Sequence, residues 1–257
     1  MPAARKASIA ACTLAGSHRA ARLTELGTTR KIEWKPMSLS ERWETVRERI
    51  VLAAQRAGRK PDEITLLAAT KVFPVETLLE AYSLGMRDFG ENYVQEFERK
   101  FPRTVGCEGA RFHLIGHLQS NKARKAAEMF QVVQTVDSAK LAKRLGEVGA
   151  PLEVMIEVKL SEEETKHGAA PSELSLIIGA IAAEPFLRLT GLMTMPPWSD
   201  DAEAARPYFR RLRALAEAHG LGQLSMGMSH DLEVAIEEGS TMVRVGTALF
   251  GSRKGLL

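Results

Sequence analysis

Cysteine is nearly absent from the chain: Cys12 and Cys107 are the only two, and no Cys-x-x-Cys pair occurs. A disulfide framework and a cysteine-based zinc module are excluded, and a reducing, cytoplasmic compartment fits. Long apolar runs are missing too. Stretches such as residues 174–183 are broken by polar positions and fall short of the roughly 20 residues that a membrane-spanning helix needs, so no membrane partner is expected. An excess of one charge is also missing. The net charge of +3 comes from residues 1–36, where seven Lys and Arg face two Glu, and about −2 remains for the rest. No basic field suits nucleic acid. Finally, neither a Gly-x-Gly-x-x-Gly loop nor a Walker A loop follows the first apolar segment.

What is present reads as a globular chain: 257 residues, 45% hydrophobic and 26% charged, compatible with one large domain. Residues 1–36 are rich in Ala, Arg, Ser and Thr and show no sustained apolar period, so a disordered extension is expected there, with the folded domain over 37–257. Three origins are compatible with this extension. A start upstream of a true one at Met37 is favoured because Ser38-Leu-Ser-Glu41 resembles a capping box; an organelle transit peptide fits the composition. A secretory signal fits least, since residues 7–16 hold only Ile9 and Leu14 as large hydrophobes.

Leu39, Trp43, Val46 and Ile50 predict a lead-in helix that stops at Gly58. Short apolar runs then alternate with helical patterns. Strands are predicted over 64–70, 88–89, 111–115, 134–136, 152–158, 187–193, 224–226 and 242–245, and helices over 75–84, 121–130, 139–148, 172–183, 202–219 and 231–237. Strict alternation implies a parallel sheet covered by helices. Eight units in about 220 residues favour a single (β/α)8 TIM barrel over an open doubly wound sheet.

A barrel carries its chemistry at the carboxyl ends of its strands. Lys71 ends the first predicted strand, where partial desolvation favours the neutral amine that attacks an aldehyde; a lysine snorkelling to water gives the same pattern. Ser225-Met-Gly-Met-Ser229 and Val243-Arg-Val-Gly-Thr247 follow the last two strands. Gly227 and Gly246 allow close backbone approach, and Ser229 and Thr247 supply hydroxyls and free helix-opening amides, a combination suited to a phosphate. Each segment alone is equally an ordinary turn or cap. Arg244 shares strand parity with Met242 and Gly246, which aims it into the barrel mouth. There it needs an acceptor, either a ligand's ring nitrogen or a barrel carboxylate. His113 and His117 have the i, i+4 spacing of a metal pair but bracket a strand end and a turn, so no metal is assigned. The basic run Lys122-Ala-Arg-Lys125 reads as a solvated helix face, with anion binding as the alternative.

These segments together resemble the YggS/PROSC family of pyridoxal phosphate homeostasis proteins, related in fold to the alanine racemase N-terminal barrel. The resemblance runs from about residue 39 to 253. Ala68-Ala-Thr-Lys71, Phe89-Gly-Glu-Asn-Tyr-Val-Gln-Glu96, His113-Leu-Ile-Gly-His-Leu-Gln-Ser-Asn-Lys122, Gly191-Leu-Met193 and the two segments above carry it. It implies pyridoxal 5'-phosphate (PLP) as cofactor, Lys71 as the Schiff-base lysine, Ser229, Gly246 and Thr247 as the phosphate cradle, and Arg244 as the pyridine-nitrogen partner. Asn92 and Met193 resemble residues that line the cofactor, although Asn92 also reads as a polar loop residue and Met193 as core filler. One departure stands out: Val158-Lys159 replaces the family's usual Val-Asn pair. Glu157, of the same parity as Lys159, is expected to neutralise it; participation of Lys159 in cofactor handling is the alternative.

The resemblance implies a PLP-binding protein of intracellular PLP homeostasis, a monomer without turnover that hands PLP to apoenzymes. A PLP-dependent racemase is the competing reading. Against it, racemases add a β domain and a second catalytic group, whereas this chain ends about seven residues after Phe250. A scaffold with a relic site is the third.

Overall fold

The computed structural model describes residues 37–161, 163 and 167–251. The expected extension 1–36, with Cys12, and Lys166 lie outside the described residues. The lead-in helix α1 (Leu39–Arg56) buries Leu39, Val46, Ile50, Ala53 and Ala54, the face that the 3.6-residue period sets.

After α1, strands and helices alternate: β1 (Thr65–Ala69), α2 (Val75–Ser83), β2 (Asp88–Glu91), α3 (Val94–Lys100), β3 (Arg111–Leu114) and α4 (Ala123–Met129). They continue through β4 (Val132–Val136), α5 (Ala139–Gly146), β5 (Leu152–Glu157), α6 (Leu174–Ala182), β6 (Leu187–Met193) and α7 (Arg206–Ala218). The chain closes with β7 (Gln223–Met228), α8 (Leu232–Glu237), β8 (Met242–Val245) and α9 (Thr247–Phe250). All neighbouring strands pair in parallel, and β1 pairs with β8, so the sheet is a closed eight-stranded barrel. The open-sheet alternative is thereby excluded.

The alternation of side chains within each strand separates two apolar regions. Ala68, Val243 and Val245 face outward into the large core shared with the helices. Their neighbours Leu67, Ala69 and Met242 join Ile115 in a small cluster inside the barrel. Outside, the wholly buried Phe97 of α3 packs in tilted geometry against Phe112 and Phe130, each ring 4.8 Å away. Burial of such a ring contributes roughly 1.5–3 kcal/mol. At Gly191, in the middle of β6, a side-chain carbon would stand 1.9 Å from the Gln223 carbonyl oxygen, so only glycine lets β6 and β7 approach.

Three sequence expectations change. The second strand, expected over 88–89, extends to Glu91 because Gly90 and Glu91, both poor strand formers, pair with β3. The gap between β2 and β3 contains α3, which the pattern had missed; this seven-residue helix shows only Val94 and Phe97 as apolar markers before Pro102 interrupts it. The first strand ends at Ala69, so Lys71 stands in the turn beyond it rather than closing the strand.

Candidate functional site

Loops at the carboxyl ends of the strands enclose a cavity of about 920 Å³. That lies within the roughly 300–1,000 Å³ of small-molecule sites. Lys71, Asn92, Ser229, Arg244, Gly246 and Thr247 all line it. Met193 does not; it is wholly buried on β6, in register with Ser225. Met195, two residues past the strand end, occupies the cavity wall instead.

Arg244 is buried, and its guanidinium donates to the Ser225 carbonyl at 2.7 Å, the Ser225 hydroxyl at 2.8 Å and the Thr194 carbonyl at 2.9 Å. Among the described residues its hydrogen-bond partners are therefore carbonyls and a hydroxyl, not a carboxylate. Burial pulls its pKa down to about 10, with Asp231 and Glu157 opposing, and it stays a cation at neutral pH.

Beneath Arg244 a polar chain runs through the barrel. The Ser225 hydroxyl donates to Gln134 Oε1 at 2.6 Å, the Gln134 amide lies 3.0 Å from His113 Nδ1, and His113 Nε2 lies 2.9 Å from Asp88 Oδ1. The amide donor at Nδ1 assigns the ring proton to Nε2, so every donor points from Arg244 towards Asp88. Burial lowers the pKa of His113, which keeps the ring neutral. Sequence reading missed Gln134; a polar residue at an inward position of Val-Val-Gln-Thr-Val was the available signal.

The candidate cradle is built differently from expectation. Ser229 does not cap its own helix, whose N-cap is Asp231. Its hydroxyl instead accepts from the Ala248 amide at 3.1 Å, joining the loop after β7 to α9. α9 has four residues, so its aligned dipole is small, and hydroxyls with local amides remain as the polar groups. Arg49 of α1 supports this loop, donating to the Ser229 carbonyl at 3.0 Å while its guanidinium pairs with Glu233 at 2.6 and 2.9 Å. Gly227, at φ 92°, needs glycine: a side-chain carbon there would lie 2.4 Å from the Ala235 methyl.

Around the remaining wall stand Lys159, Glu157, His117, His167 and Lys122. Glu157 is 5% exposed, and burial pushes its carboxyl up to about 7, Arg244 pulling it down and Asp137 pushing it up. Among the described residues no ion pair joins Glu157 to Lys159; the positive charge that acts on Glu157 is Arg244, buried in the same barrel mouth. The rings of His117 and His167 stack at 3.9 Å, with His117 Nδ1 3.5 Å from Asp137. No three His, Cys, Asp or Glu residues converge as a metal cluster among the described residues. Lys122 departs from the solvated face expected of its basic run, whereas Lys125 pairs on the surface with Glu98.

Barrel and mouth together define the class: the alanine racemase N-terminal domain family, whose description matches residues 44–254, and to which the chain belongs. Within that class its similarity is sharper. It is 45% identical over 222 residues to the Pseudomonas aeruginosa protein named pyridoxal phosphate homeostasis protein, covering 84% of this chain and 96% of that one. The protein of the same name from Escherichia coli K12 is 43% identical, covering 81% and 94%. PipY of Synechococcus elongatus, solved with PLP bound, superposes at TM-score 0.73 with 34% identity, over 83% of this chain and 100% of that one. Alanine racemase of Corynebacterium glutamicum, at 21% identity and TM-score 0.61, shares the fold, and the match covers 60% of its length.

Proposed function

We propose that this protein binds PLP at the barrel mouth, attached covalently to Lys71 as a Schiff base, and that it serves PLP homeostasis in the cytoplasm as a monomer, holding the reactive aldehyde and releasing it to apoenzymes. The observation that carries the reading is convergence: Lys71, Arg244 and the Ser229, Gly246 and Thr247 group come from opposite ends of the chain and line one cavity. The residues fit the group. The buried Asn92 Oδ1, on the cavity wall, has no hydrogen-bond partner among the described residues and suits a ligand donor. At Gly246, also on the cavity wall, a side-chain carbon would meet Ala69 at 3.5 Å, an ordinary contact, so the fit rests on the hydroxyls and amides around it and not on a steric need for glycine.

When bound, PLP supplies an aldehyde for a lysine amine and a phosphate for orientation. Lys71 presents the amine from the turn after β1. Arg244, a permanent donor, suits an unprotonated ring nitrogen and disfavours the protonated form on which strong carbanion chemistry depends. Ser229 and Thr247 hydroxyls and the backbone at Gly246 suit the phosphate oxygens.

Binding rather than racemisation is favoured by the relatives, which the chain spans almost fully under a homeostasis name. PLP should bind stoichiometrically, and incubation with L-alanine in deuterated water should leave the α-proton and optical purity intact over many minutes. Rapid deuterium incorporation with racemisation would overturn the binding-protein reading in favour of an enzyme.

A further inference from the structure

The turn that carries Lys71 is held from both sides by a charge cluster outside the cavity wall. Lys100, the last residue of α3, is 7% exposed. Its ammonium donates to both oxygens of Glu91 at 2.9 and 3.0 Å, to Glu96 at 2.7 Å and to the Thr70 carbonyl at 3.1 Å. An ammonium has three protons, and three groups, two carboxylates and one carbonyl, receive them here. Lys100 is thus committed as a donor.

The cluster grips the chain on each side of Lys71. On one side, Thr70 is wholly buried; its hydroxyl donates to Glu91 at 2.8 Å, and its carbonyl receives Lys100. On the other, the Val72 amide donates to the same Glu96 oxygen that Lys100 holds, at 2.6 Å. Val72 has φ 64°, the one non-glycine residue in the left-handed region among the described residues. For a β-branched side chain that conformation costs of order 1–3 kcal/mol and persists only where surrounding contacts impose it. Burial pushes the Glu91 carboxyl up, and the Lys100 ammonium pulls it back.

We infer that Lys100 is the positioning residue for Lys71: through the Thr70 carbonyl and the Glu96-bound Val72 amide it fixes the strained turn that aims the Lys71 amine into the cavity. The inference rests on covalent attachment at Lys71. In that step the amine attacks the aldehyde carbon, a C=N bond forms and the aldehyde oxygen leaves as one water. Lys100 touches none of these atoms; it sets where the amine starts.

Two variants test this. Glu96→Ala removes the partly exposed arm of the clamp, and Lys100→Met with Glu91→Gln removes both buried charges at once, so no lone buried ion remains to unfold the barrel. Each is measured for the rate of borohydride-trapped attachment of PLP and, separately, for affinity towards pyridoxamine 5'-phosphate, which has the ring and phosphate but no aldehyde. Attachment should slow by roughly tenfold or more, the scale of one lost charge-assisted hydrogen bond, while pyridoxamine 5'-phosphate affinity stays within about twofold. Faster exchange of the Val72 amide in the ligand-free variants should accompany the loss. Unchanged attachment in either folded variant, or an equal loss of pyridoxamine 5'-phosphate affinity, overturns the inference. Failure of the underlying reading looks different: the unaltered protein would then yield no adduct, or one at a lysine other than Lys71.

Discussion

One nitrogen of the Arg244 guanidinium reaches both the carbonyl and the hydroxyl of Ser225, at 2.7 and 2.8 Å, and so ties the cavity's buried cation to the polar chain that ends at Asp88. Ser225→Ala removes the donor to Gln134 Oε1 in a wholly buried setting. An unsatisfied buried acceptor costs about 1–3 kcal/mol, and equilibrium urea unfolding should show a loss of that size. Gln134→Leu, which strands His113 Nδ1 and the Ser225 hydroxyl together, should cost at least as much.

Glu157 gives the ligand-free protein a pH dependence of definite sign. Burial raises its folded pKa from the ordinary 4.5 to about 7. Between those values the folded state binds the extra proton, so stability falls as pH rises through this window and is fully lowered above it. Glu157→Gln should abolish that slope and stabilise the protein at pH 8, by an amount of order 3 kcal/mol. Because the depressed pKa of His113 contributes with the opposite sign, the check is the difference between the two proteins in unfolding curves at pH 5 and pH 8; a variant whose advantage over the parent does not grow from pH 5 to pH 8 contradicts it.

The cradle predicts a ligand split. Thr247→Ala should weaken PLP binding by roughly 1.5–3 kcal/mol, the worth of a hydrogen bond to a charged group, and leave pyridoxal, which lacks the phosphate, unaffected. Ser229→Ala should weaken PLP binding as well, because the Ala248 amide loses its anchor. Equal affinities of the parent protein for pyridoxal and PLP would remove the cradle from the account.

Gly191→Ala places a carbon 1.9 Å from the Gln223 carbonyl, in backbone that cannot yield cheaply. Overpacking of this kind costs roughly 1–3 kcal/mol or more. A thermal melt should show the loss, whereas Gly179→Ala, with nothing within 4 Å, should match or exceed the parent.

The barrel was legible because parallel strands buried on both faces read as short apolar runs, and β6 and β8 fall on their expected bounds. What sequence could not give was pairing that overrides propensity, as at Gly90 and Glu91, and contacts between distant segments. Parity placed Arg244 inward, yet nothing local shows that its acceptors are the Ser225 and Thr194 carbonyls. Met193 and Met195 share parity, and only the position of the strand end decides which one meets the cavity. The clamp on Lys71 was hidden for the same reason. No helix was read over residues 94–100, so nothing placed Lys100 beside Lys71, although Val94 and Phe97 are apolar markers of the face that α3 buries.

The central claim is covalent attachment at Lys71, and its most direct measurement is borohydride reduction of the PLP-loaded protein followed by peptide mass mapping. The account predicts a yellow absorption band that reduction removes, a single reduced adduct on Lys71, and neither band nor adduct in a folded Lys71→Ala variant. An adduct on Lys159, or a band that survives in Lys71→Ala, would contradict it.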